Sequence, residues 1–272
     1  MSLIKSFFVF SILGLLFLVE SCSLKFYAPT TAATPLFRQK GEAQLSGSLG
    51  NGDEINQSLQ GQFAYAFDSS VAVYGTLYSA KGGVEKENQT SGKGSQFELG
   101  IGYFNTLTRK TSYEIYGGFA YGSSAYNTYR TYESKTKDTR QFPVYVNSTF
   151  IKPFVQGNYG YRSPYFDAIL NLRLGYLNIK EPGELESNMD TSYVGVPNED
   201  VDRVKSAPNS FLVEPGITLR FGYEPLKLQL HTGWSFNSNG DKYPQENIVF
   251  SVGLVGMLNS ATKKKKTPPL NF

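Results

Sequence analysis

Only one cysteine and one histidine occur in the 272 residues, so a disulfide framework is excluded, and with it a zinc site built on cysteines. Long apolar runs are equally scarce. Beyond the first segment no uncharged stretch is long enough for a membrane-spanning helix, and the mean hydropathy is −0.30. A net charge of +3 is too small to argue for nucleic acid as a partner. No Gly-x-Ser-x-Gly, phosphate-binding loop or Asp-rich calcium loop is present. No composition break marks a second domain. What the chain has in quantity is tyrosine (19), phenylalanine (20) and glycine (27), against a single tryptophan. That mixture suits β-strands with interfacial aromatic girdles and bare interior positions.

At the amino terminus Lys5 precedes an apolar core over residues 7–19, the length of a secretory signal. The one thiol, Cys22, follows directly in Leu18-Val19-Glu20-Ser21-Cys22, which reads as a lipoprotein box with Glu20 as its one departure. Cys22 is therefore the candidate lipidation site. Residues 22–41 have no periodicity, and Pro29 and Pro35 flank a Thr-Thr-Ala-Ala run, so they read as an extended tether on the periplasmic side.

From residue 42 onward the chain alternates. In residues 167–179, Ala168, Leu170, Leu172, Leu174 and Tyr176 share one parity, whereas Asp167, Asn171, Arg173 and Gly175 share the other. A helix would mix the two sets. Similar alternation recurs in about ten segments up to residue 258, with tight connections after the second, fourth, sixth and eighth. Those after the third, fifth and seventh are long and polar. Short turns at one end and long loops at the other predict an all-β chain: a single antiparallel up-and-down transmembrane β-barrel.

If the aliphatic parity faces lipid, the other parity lines a lumen. Glu98, Glu114, Lys152, Arg173, Glu214, Arg220 and Lys227 fall there as a nearly balanced charge network. Charges so enclosed must be paired or hydrated. A paired polar lumen in a small barrel is largely filled by its own side chains, although inward glycines leave room for a narrow porin-like channel. In the long segment 123–141, Tyr126, Tyr129, Arg130 and Tyr132 are candidate external contacts for an envelope protein or a glycan. Lys263 to Lys266 lie in a basic periplasmic tail facing inner-leaflet head groups. His231 sits mid-strand, where a satisfied hydrogen bond outweighs catalysis; an omptin-like rim protease, also ten-stranded, is thus a remote reading. Neither a catalytic residue nor a cofactor or metal is expected.

Phe26-Tyr27-Ala28-Pro29-Thr30, Pro35-Leu36, Lys40-Gly41-Glu42-Ala43-Gln44, Phe150-Ile151-Lys152-Pro153 and Tyr165-Phe166-Asp167 together resemble the outer-membrane β-barrel lipoproteins of Bacteroidota. The resemblance implies a fold and a location, and no established activity. The resulting expectation is a signal peptide at 1–21, a lipidated tether at 22–41, a barrel at 42–258 and a tail at 259–272. Its partners are outer-membrane lipid and a protein or glycan at the external loops. Its role is structural or interactive rather than enzymatic, with a porin or a surface adhesin as the alternatives.

Overall fold

Period-two alternation becomes wall wherever successive strands can exchange ladder hydrogen bonds, and here the ladder closes on itself. The computed structural model describes residues 26–52, 55–83, 91–134, 139–180, 183–186, 193–195, 199–240 and 243–259. The long strands are β1 (Glu42–Gly52), β2 (Ile55–Ala66), β3 (Val71–Gly83), β4 (Ser91–Thr106), β5 (Thr111–Ser134), β6 (Thr139–Arg162) and β7 (Phe166–Ile179). Short β8 (Gly183–Glu186), β9 (Tyr193–Gly195) and helix α1 (Glu199–Ser206) follow in the connection to β10 (Asn209–Tyr223). Then come β11 (Leu226–Trp234), the two-residue β12 (Phe236–Asn237) and β13 (Ile248–Asn259). Ten of these strands form a closed antiparallel barrel, each pairing with the next, and β13 returns to β1 with Glu42 opposite Asn259. Closure leaves the wall no unpaired edge.

Tight turns join β2–β3, β4–β5, β6–β7 and β10–β11 at one end, hereafter the turn end. Longer connections gather at the other, the loop end. Residues 123–141, expected as a loop, are instead mostly strand. β5 and β6 each run 24 residues and stay paired from Thr111↔Tyr161 to Glu133↔Thr139, so this hairpin rises well past its neighbours. Its Tyr and Thr content favours extended chain over coil.

The outer face is the aliphatic parity. Leu49, Leu59, Leu77, Leu99, Ile101, Ile115, Leu170, Leu172 and Leu254 are all exposed. Tyr103, Tyr159, Tyr165, Phe221 and Tyr223 ring the turn end, and Phe119, Tyr121, Tyr176, Phe211 and Trp234 stand higher. An uncovered apolar belt between two aromatic girdles is stable against lipid and not against water.

Inside, the sequence expectation needs a correction. Residues 26–41 are no external tether. Residues 26–37 run through the lumen, and Phe26, Tyr27, Thr30 to Thr34, Leu36 and Phe37 are all buried. The Phe26 N–H donates to the Pro244 carbonyl and Glu246 N–H to that of Tyr27, both at 2.9 Å, while Tyr27 bridges Gln245, so the segment starts at the loop end. It leaves at the turn end, where Arg38 donates to the Arg162 carbonyl and Gly41 N–H to that of Ala66. The described chain therefore enters from the loop side, opposite to the expected periplasmic start. Pro29 and Pro35 cannot donate to a ladder, and a segment enclosed on every side has no polar face to alternate against. The expected signal peptide, Cys22 and the tail lysines lie outside the described residues.

Candidate functional site

Wall side chains hold the enclosed segment through its backbone at residues 31–37, and through the hydroxyls of Tyr27, Thr30, Thr31 and Thr34. Gln60 spans the Thr31 peptide, accepting from its N–H at 2.9 Å and donating to its carbonyl at 2.8 Å, while Gln62 donates to that same carbonyl at 2.7 Å. Gln156 and Asn158 both donate to the Ala33 carbonyl, at 2.6 and 2.9 Å. Arg220 reaches the Thr34 carbonyl (2.8 Å) and hydroxyl (3.0 Å), and Glu114 accepts from the Phe37 N–H at 2.9 Å. Buried backbone groups must find partners, and here amides and charges of the wall supply what a ladder otherwise would. Strand parity places Gln60, Gln62 and Gln156 inside, but nothing in it reveals that they face peptide rather than water.

The seven expected lumen charges are all buried; four form one cluster and three stand apart from it. At mid-lumen, Arg173 Nη1 donates to Glu98 Oε1 at 3.0 Å and lies 3.8 Å from Glu214 Oε2. Lys152 Nζ is 3.2 Å from that same Glu214 oxygen and 3.8 Å from Glu98 Oε1. Tyr27 joins this quartet from the enclosed segment, accepting from Lys152 at 2.5 Å and donating to Glu214 at 2.6 Å, and Thr30 donates to Glu98 at 2.9 Å. Two acids and two bases cancel. The remaining three stand apart: Glu114 binds Phe37 and Asn158, Arg220 binds Thr34 and Gln229, and Lys227 pairs with Asp167 at 2.7 Å. Sequence reasoning missed the turn-end cluster in which Arg162 meets Glu42 at 3.3 Å and Glu224 at 2.9 Å.

Space for the segment comes from small inward residues. Ala64, Ala66, Ala72 and Ala120 line it, and at Gly160 a Cβ would meet Leu36 Cδ1 at 2.6 Å. At Gly100 a Cβ would run into the Tyr74 ring, so the bare wall there makes room for an inward aromatic rather than for a pore. Leu36 itself adopts φ 52°, a left-handed conformation held by complete burial and by the 3.2 Å bond from Arg162 to its carbonyl.

At the loop-end mouth, Phe26 lies against Tyr126 with ring centroids 5.7 Å apart, and Tyr27 meets Phe150 edge-on at 5.4 Å. Tyr126, expected as an external contact, therefore helps seat the enclosed segment. Tyr129, Arg130 and Tyr132 belong to β5 by backbone, and their side chains lie outside the described residues. Val201 and Val204 of α1, with Tyr243, close the same cluster over the mouth, and burial pushes the Tyr243 phenol up to about 12.

His231 is inward and buried, with Nδ1 2.8 Å from the Thr218 hydroxyl. Among the described residues no cluster of His, Cys, Asp and Glu offers a metal site.

No protein-family profile matches the chain, and no characterised sequence does either. Solved structures do. The outer-membrane protease OmpT of Escherichia coli superposes with a TM-score of 0.52 at 8% identity, covering 87% of this chain and 99% of that one. The translocator domain of the autotransporter NalP from Neisseria meningitidis gives 0.44 at 14% identity, covering 80% and 86%. An outer-membrane channel from Pseudomonas putida gives 0.39 at 10%, covering 85% and 100%. At such identities the OmpT likeness establishes the fold, that of an outer-membrane β-barrel, and nothing about chemistry.

Proposed function

We propose that this chain is a bacterial outer-membrane lipoprotein whose barrel is plugged by its own amino-terminal segment and which acts, without catalysis, as a structural or interaction protein through its loop end. One observation carries the reading: residues 26–37 occupy the lumen with their backbone hydrogen-bonded to wall side chains. A lumen so filled leaves little room for water, which weighs against the porin alternative. Planar-bilayer recording tests it directly, because the intact protein should be silent, and steady channel steps would refute it.

Acylation of Cys22 is part of the proposal. Cys22 precedes Phe26 by four residues, a reach of at most about 14 Å. Since Phe26 lies at the loop end, an acyl anchor there belongs to the leaflet on the loop side, the reverse of the periplasmic anchor expected from sequence. Radiolabelled palmitate should enter the native protein and not Cys22→Ala. An epitope placed after Cys22 should be cleaved by protease added to intact cells, and protection until the membrane is broken would sink the loop-side assignment. The partner, a glycan or an envelope protein, belongs to the rim formed by the β5–β6 hairpin, and deleting residues 124–140 should abolish its binding.

A further inference from the structure

On the outer wall, β3 to β6 stack their outward residues in rows set by register. The row Leu77–Phe97–Tyr121–Ile151 is apolar, each residue directly opposite the next. One step toward the loop end the row is Ser79–Ser95–Ser123–Thr149, with the Ser95 and Ser123 hydroxyls 3.2 Å apart. The step after that puts Lys81 directly opposite Lys93, both exposed, with Asn147 beyond. The belt thus ends abruptly. Aromatics give way to hydroxyls and hydroxyls to a pair of cations, the order in which acyl chain, glycerol or sugar, and phosphate follow one another in a lipid leaflet.

Like charges directly opposite on neighbouring strands repel. Among the described residues no carboxylate pairs with either lysine. A groove of about 490 Å3 runs beside them, lined by Lys81, Lys93, Ser95, Ser123, Asn147 and Thr149 among others. Two cations without a carboxylate partner among the described residues, and a hydroxyl row at head-group height, suit an anion with neighbouring hydroxyls or ester oxygens. We infer that Lys81 and Lys93 bind the phosphate of an anionic lipid of the loop-side leaflet, with the serine row beneath receiving its glycerol or sugar oxygens. The inference rests on the membrane-spanning reading and adds to it a defined lipid site.

The test uses purified full-length protein in neutral micelles, with thermal unfolding followed by the gel shift between folded and boiled forms. Phosphatidylglycerol near a hundredfold its dissociation constant should raise Tm by roughly 5–10 °C, whereas phosphatidylcholine and inorganic phosphate should not. Lys81→Gln/Lys93→Gln should lose most of that rise, and in lipid-free micelles at low salt should be at least as stable as the native protein, because the repulsion is gone. Arg109→Gln/Lys110→Gln, an equal charge loss at the turn end, should keep the rise. The inference is overturned if the lysine variant keeps the full rise, if both variants lose it equally, or if inorganic phosphate reproduces it. Monodispersity without detergent would sink the membrane reading and this site together, while a detergent-requiring barrel indifferent to phosphatidylglycerol would sink the site alone.

Discussion

Wall and plug are both extended chain, and they meet the same demand in opposite ways. Each wall strand gives its N–H and C=O groups to a neighbour's backbone, residue by residue, from Glu42↔Asn259 around to Arg162↔Asp167 and back. Beyond its bridge at Tyr27, the plug has no such neighbour among the described residues. Its peptide groups are met by Gln60, Gln62, Gln156, Asn158, Arg220 and Glu114, side chains that project from six positions on four strands. A ladder needs only alternation and closure, so it tolerates much substitution at any one position. A plug held by side chains depends on particular residues. It follows that the wall should survive loss of the plug, while the plug should not survive loss of its holders.

The most severe way to break that comparison is to delete residues 26–37. The barrel should still form and still shift on gels between folded and boiled forms, yet conduct in planar bilayers where the native protein is silent. A deletion that never folds would show that wall and plug are one unit. Next in size, Arg173→Met leaves Glu98 and Glu214 with Lys152 alone, which should cost about 3–5 kcal/mol in denaturant unfolding. Adding Glu98→Gln should restore much of it, since an uncompensated charge is the main penalty. On the other face, Leu172→Arg puts a charge into the belt and should cost about 2–4 kcal/mol in bilayers. Leu172→Ala, which meets lipid and not a packed core, should cost far less. Smallest in stability, Gln60→Leu strips the Thr31 peptide of both its bonds to that side chain and should cost about 1–3 kcal/mol. Its sharper readout is hydrogen exchange, which should rise at residues 30–32 while the β1–β2 ladder stays protected.

Alternation alone located the wall strands and their lipid face, because a residue's side of a pleated strand follows from its number. The same parity placed Glu98, Lys152, Arg173 and Glu214 inside before any fold was known. It could not pair them, since the partners lie on β4, β6, β7 and β10 and only closure and register bring those together. Nor could it separate Glu114 and Arg220 from the quartet, because each answers to a peptide group of the plug. Residues 26–37 defeated pattern reading for a physical reason: chain surrounded on all sides has no polar and apolar side to alternate. Two features did hint at them. Inward Ala64, Ala66, Ala72 and Ala120 would leave a void in a close-packed interior, and inward Gln60, Gln62, Gln156 and Asn158 are amides suited to bind a backbone.

Sequence by itself determined that this chain builds strands with a lipid-facing side, how many they are to a close approximation, and which end carries the long connections, all of which are local properties of neighbouring residues. Only the tertiary structure decided what fills the lumen and from which end the chain enters it. Those depend on contacts such as Tyr27 with Glu214, 187 positions apart, whose distance is set by barrel closure rather than by any local pattern.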